Sequence, residues 1–214
     1  QGRVGQHQRL LTGGTLNLSG GGTSTGGSFT GGGTLQFSSG YTFDAASTIS
    51  TANAIFSAGT TTLAGTYSAT NTTLSGGTLT TGSSPITLGT NFTHAGGTLS
   101  GSGTVTVTGL SSFTGVSTYM LETGSGTTDL QGGGVLSSGI LALDGGRKLQ
   151  NEGIFNWTGG SISLGQNPFG TSVGGATIVN ALGATFNDAV ASTINNGSGT
   201  NAFINAGTFQ TSFA

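Results

Sequence analysis

The sequence predicts an all-β fold, a solenoid of short parallel strands, and three observations carry that expectation. Gly, Ser and Thr together make up about half of the 214 residues, with 44 glycines and only 5% charged side chains. Short glycine-marked phrases recur at intervals of about 20 residues, as expected of a repeat array. Between them, apolar side chains fall on every second position, the period of a half-buried strand.

Composition excludes the alternatives to an ordered strand-rich chain. Hydrophobic residues reach 33%, which a flexible Gly/Ser linker would lack. Disordered chains combine low hydrophobicity with high charge or much proline, whereas this chain has 2 prolines and a net charge of −2. The glycines follow no three-residue period, so collagen is excluded. Four basic residues, Arg3, Arg9, Arg147 and Lys148, cannot neutralise a useful number of phosphates, so no nucleic-acid partner is expected. No run of 18 apolar residues occurs, so no transmembrane helix is expected either. The chain opens on Gln1 rather than Met, which predicts a processed product or an excised fragment. Cysteine is absent and says little about compartment.

The phrase Gly-Gly-Thr-Leu occurs at Gly13–Leu16, Gly32–Leu35, Gly76–Leu79 and Gly96–Leu99, with a variant at Gly159–Ile162 and a degenerate copy at Gly59–Leu63. A second phrase, with Asn shortly before Gly and then an apolar residue, marks Leu149–Phe155, Ile178–Phe186 and Phe203–Phe209, about 25 to 30 residues apart. Alternation is clear in Thr15–Leu18, Thr34–Phe37, Thr104–Thr108 and Gly139–Leu143. β-branched residues suit a pleated surface, while Glu, Lys and Arg are nearly absent and no 3.6-residue stripe appears.

Such strands could build a sandwich, an up-and-down barrel or a solenoid. The short period, the repetition of like residues at inward positions and the rarity of hairpin dipeptides (Asp144-Gly145 and Asn196-Gly197) favour the solenoid. In it Leu stacks over Leu, Asn at a bend joins an amide ladder, and glycine supplies positive φ at corners. With about 20 to 25 residues per coil, the chain makes roughly nine or ten coils, a rod roughly 45 Å long. The expected organisation is an irregular lead-in over residues 1–12 and one repeat array over 13–214.

The runs Thr93–Val107 and Leu149–Leu164 resemble the β-strand repeats of very large secreted bacterial proteins. These are the adhesin-like and autotransporter-passenger-like repeats, in the style of filamentous haemagglutinin. The resemblance covers most of Gly13 to Ala214. It implies a right-handed parallel β-helix, export to the bacterial cell surface or beyond, and roles in adhesion, biofilm or surface coating.

A catalytic site needs convergent titratable groups. The acids are Asp44, Glu122, Asp129, Asp144, Glu152 and Asp188. The best cluster by spacing is Asp144, Arg147, Lys148 and Glu152, for which a solvated turn is the expected reading. His7 and His94 stand alone, and His94 is expected at the surface or a corner. The Gly-Gly phrases carry no Asp, which excludes repeated calcium sites, although Asp129 or Asp188 could hold a single ion. Glycine runs at Gly31–Gly33 and Gly132–Gly134 lack the Lys-Ser/Thr of a phosphate loop. Catalytic, cofactor-binding and metal-binding residues are therefore all expected to be none, and the chain is not expected to be an enzyme.

Thr104, Thr106 and Thr108 are the strongest alternating threonines, the pattern an ice-binding face would need on every coil. Asn17, Asn71, Asn91, Asn156 and Asn196 head Asn-x-Ser/Thr triplets, which arise by chance in such a composition. Phe29, Phe37, Phe43, Phe56, Phe92, Phe113, Phe155 and Trp157 could form a carbohydrate-stacking strip but are expected to stack inside the core. The last residues complete a repeat phrase without an amphipathic cap, so either the natural protein continues or the ends bury one another, head to tail into fibres. The expected partners are further copies of the chain, head to tail or lateral, and surface glycans or host cell-surface ligands. The expected function is a structural or adhesive extracellular surface protein. Its rivals are a glycan-binding or glycan-cleaving β-helix and an ice-binding solenoid.

Overall fold

The computed structural model describes residues 3–4 and 8–212. They form a β-solenoid of about ten turns, with no helix among them. Every ladder pairing is parallel, and each coil contributes one short strand to each of three faces. Face A runs through Gly22–Ser24, Tyr41–Phe43, Thr60–Leu63, Thr78–Thr81 and Gly97–Ser100, and ends on Ser161–Leu164 and Ile194–Asn196. Face B includes Thr104–Val107, Thr127–Leu130, Lys148–Asn151, Thr177–Asn180 and Ala202–Asn205. Face C includes Thr15–Leu18, Asn71–Leu74, Asn91–His94, Ile154–Trp157, Thr185–Asp188 and Thr208–Thr211. Longer strands turn a corner: Ser28–Phe37 and Thr48–Phe56 run from face B to face C, Ser111–Thr123 and Gly134–Leu143 from face C to face A. The ladder takes in the first residues as well, since Arg3–Val4 pairs with Thr23–Ser24 and Gln8–Leu10 with Ser28–Thr30.

Stacking in register explains why like residues recur. On face C the inward column reads Leu18, Phe37, Phe56, Leu74, His94, Phe113, Leu136 and Trp157. Phe37 stacks on Phe56 with centroids 5.0 Å apart and planes 8° apart, and Phe155 stacks on Phe186 at 5.0 Å and 13°. The eight aromatics named above are all buried, so they form core ladders and not a surface strip.

The Gly-Gly-Thr-Leu phrase serves two corners. In Gly13–Leu16 and Gly32–Leu35 it opens face C, whereas in Gly76–Leu79 and Gly96–Leu99 it opens face A. Gly97 has φ +80°, and a Cβ there would lie 2.4 Å from the carbonyl oxygen of Gly77 in the preceding coil. Glycine is needed both for the left-handed backbone and for the close approach of the coils.

Amide ladders lock the same corners. Asn151 Nδ2 donates to Asn180 Oδ1 at 2.8 Å, and Asn180 Nδ2 donates to Asn205 Oδ1 at 2.8 Å. Asn180 also donates to the Thr208 carbonyl at 2.9 Å, and its side chain is fully buried. A second, outward ladder joins Asn53, Asn71 and Asn91 at 3.0 and 2.9 Å.

Most coils take 18–25 residues, as between Asn53 and Asn71 or Ile178 and Phe203. One coil stretches to 29–32 residues, where Lys148 pairs with Thr177 and Ile162 with Ile194. Its extra length is a loop of residues 165–176 at the corner between faces A and B. Truncating Asn180 to Ala removes its bonds to Asn151, Asn205 and the Thr208 carbonyl and should cost about 1–3 kcal/mol. Denaturant unfolding of the variant checks this, and an unchanged midpoint would contradict the ladder's role.

Candidate functional site

The four residues grouped by sequence spacing do not converge. Lys148 and Glu152 lie on the outside of face B, where Lys148 Nζ donates to Gln150 Oε1 at 2.9 Å and Gln150 Nε2 donates to Glu152 Oε1 at 2.7 Å. Asp144 and Arg147 are not in a solvated turn: they are 1% and 0% exposed. His94 is also fully buried, not at a surface or corner. His7 lies outside the described residues. The physical reason is phase. His94 occupies an inward column position between Leu74 and Phe113, and Arg147 turns from its corner into the lumen.

Arg147 finds its partners in the coil made of Ser111 to Leu130. There three inward positions are polar: Ser111, Glu122 and Thr128. Glu122 stands in a column between Leu99 and Leu143, and Thr128 between Val105 and Leu149. Arg147 donates from Nη2 to Thr128 Oγ1 at 2.8 Å and from Nε to Glu122 Oε2 at 3.5 Å, while the Thr128 hydroxyl donates to Glu122 Oε2. His94 Nδ1 stands 3.7 Å from Glu122 Oε1, and both atoms lack a hydrogen-bond partner. Burial alone would raise the Glu122 carboxyl, but His94, the Arg147 charge and the Thr128 hydroxyl outweigh it and hold it below its ordinary value. Burial in turn lowers Arg147, against the pull of Glu122. This polar layer is sealed inside the rod and has no face open to a substrate.

Asp144 acts outside the lumen. Its carboxylate accepts the Val173 N–H at 3.0 Å and the Gly174 N–H at 2.6 Å, tying down the far end of the 165–176 loop. Asp44 holds the matching corner five coils earlier, accepting from Gly26 N–H at 3.1 Å and the Ser47 hydroxyl at 2.7 Å. The Ser47 hydroxyl and the Gly26 N–H hold the Asp44 carboxyl below its ordinary value. The shared phrase, an apolar residue, Asp, two small residues and then a polar one (Phe43–Ser47, Leu143–Arg147), is the sequence signal that could have revealed both clips.

The two other acids are partly engaged. Asp188 Oδ1 accepts the Val190 N–H at 3.0 Å. Burial, then repulsion from Glu152, pushes the Asp129 carboxyl up. Among the described residues no three His, Cys, Asp or Glu side chains are placed to share a metal ion.

The outer surface of face A is divided in two. Over three coils it carries two columns of hydroxyls, Thr60, Thr78 and Thr98 in one and Thr62, Thr80 and Ser100 in the other. This array is more regular than the one around Thr104 and Thr106, where the next coils bring Asp129 and Gln150. It was hidden because Thr60, Thr78 and Thr98 share a phrase that elsewhere opens face C, so which threonines align shows only across coils. Beyond it, the outward-facing Leu121, Ala142 and Ser163 are buried at 2%, 0% and 3% exposure. The 165–176 loop crosses face A above them, since its Phe169 reaches Tyr119, with ring centroids 6.2 Å apart. Where the loop ends and the bare platform begins, a cleft opens between the two.

Comparison with protein-family models, with curated proteins and with solved structures finds no match for this chain.

Removing one member of the polar layer should be costly. Glu122→Ala leaves the Arg147 charge buried and should lose about 3–5 kcal/mol, while Glu122→Leu with Arg147→Met recovers most of it. The folded Glu122 value lies below its unfolded one, so its stabilisation is complete above about pH 5 and is lost as pH falls through the folded value. The Tm gap between the native chain and Glu122→Gln should therefore be widest above about pH 5 and close toward pH 2. A gap that widens on acidification would contradict this.

Proposed function

We propose that this chain is a segment of an extracellular structural and adhesive rod, exported to a bacterial surface. The observation that carries the reading is the placement of the charged groups. Glu122 and Arg147 neutralise each other in the lumen, and Asp44 and Asp144 clip corners. Those four charged groups are thus engaged in holding coils together, and the outer faces carry mostly hydroxyls, amides and glycine backbone, with a few charges such as Arg9, Asp129, Lys148 and Glu152 scattered among them. Such a surface suits broad, repeated, weak contacts better than chemistry at one point.

The resemblance to secreted repeat proteins supports the same reading. Self-association belongs to it too. The strands Ala202–Asn205 and Thr208–Thr211 have a ladder partner on one side only among the described residues, with Ile204 and Phe209 exposed beside them. A second copy stacked on that end would extend the ladder. Ice binding is a second reading, favoured by the threonine columns of face A. Thermal hysteresis that disappears in Thr78→Leu would place it first.

Displayed on a non-adherent bacterium, the chain should raise retention on abiotic and glycan-coated surfaces under flow, as counted by microscopy. Retention equal to that of undisplayed cells, or depolymerisation of an offered polysaccharide, would overturn the reading.

A further inference from the structure

The cleft at the step on face A joins a glycine floor to an aromatic wall. Its volume is about 620 Å³, and neither an acid nor a base lines it. The floor is the glycine corner at Gly77 and Gly97, flanked by Thr78 and Thr98. Because positive-φ glycines are required there, no side chain rises from the floor, and backbone and hydroxyls lie open. One wall is aromatic. Tyr119 is 37% exposed and Phe169 is 61% exposed, and the two rings meet edge to face.

That wall is held in place before any ligand arrives. Phe169 N–H donates to Asn167 Oδ1 at 3.0 Å, and Asn167 N–H donates to the Ser172 hydroxyl at 2.8 Å. Asp144 then fixes Val173 and Gly174 to the rod. Preorganisation of this kind lowers the ordering cost of binding.

We propose that this cleft binds a neutral polysaccharide chain. Sugar rings carry apolar C–H faces that pack on aromatic rings, and hydroxyl rims that exchange hydrogen bonds with threonine hydroxyls and backbone groups. The uncharged lining matches a ligand without carboxylate or sulfate. The neighbouring platform of Thr60, Thr62, Thr78 and Thr80 continues from the cleft along the rod, so an extended chain has a second surface to lie on. This assignment names the partner of the adhesive rod and rests on that reading for its biological setting, though its chemistry does not.

Affinity electrophoresis of the whole chain in gels containing soluble β-glucan, α-mannan or polyuronate tests it. Retardation is expected with at least one neutral polymer and not with polyuronate. Phe169→Ala and Tyr119→Ala should each weaken binding about tenfold, with thermal unfolding unchanged. Thr104→Ala, on face B, should bind like the native chain. No retardation by either neutral polymer, retardation by polyuronate alone, or full binding by both aromatic variants would overturn the proposal. Retention under flow without sugar binding sinks this assignment alone, whereas sugar binding without retention sinks the adhesive reading and leaves the cleft.

Discussion

Each coil of this protein rests on the one before it, in parallel and in register, and that constraint governs nearly every residue choice. A position occupied by Phe must face something that accepts Phe, and a corner occupied by glycine must meet another tight corner. The core is narrow, so no distant layer can repair a mismatch. Stability is then a sum over contacts between neighbouring coils, as in other quasi-one-dimensional repeats. The Phe37–Phe56 and Phe155–Phe186 stacks and the Asn151–Asn180–Asn205 ladder are local statements of the same rule.

The polar layer is the informative exception. Glu122 replaces leucine in a column of leucines, and Arg147 reaches in from a corner to meet it. A buried pair is weak evidence for stability, but it can fix register, because a slip by one coil would carry Arg147 away from Glu122 and Thr128 and leave both charges unpaired in the lumen. In a rod whose other coils are nearly interchangeable, one coil that can fit only one neighbour removes an ambiguity that apolar stacking leaves open. His94 sits against that layer because Phe92 and His94 share the inward phase of face C.

Much of this architecture was legible in the residues. Alternation in Thr104–Val107 and the Asn-before-Gly phrases read directly as strands and amide ladders, because both signals are local. The three faces were not legible, since the Gly-Gly-Thr-Leu phrase opens face C early in the chain and face A later. A corner phrase reports a bend and not which bend it is. Arg147 was misread for a related reason: beside Asp144-Gly145-Gly146 it looks like a solvated turn, and its partner Glu122 lies 25 residues away on another face. The cleft was invisible because it needs Thr78, Tyr119 and Phe169 together, three residues linked only through stacked coils and an inserted loop.

In-register parallel stacking can be tested directly, since the chain contains no cysteine. Thr62 and Thr80 are ladder partners on the outside of face A, whereas Thr62 and Ser100 are two coils apart. Cα atoms about 4.8 Å apart lie within disulfide range, and about 9.6 Å is beyond it. Mild oxidation of Thr62→Cys/Thr80→Cys should give a quantitative intramolecular disulfide, and Thr62→Cys/Ser100→Cys should give none. A disulfide in the second pair and not the first would contradict the stacking on which the whole account stands.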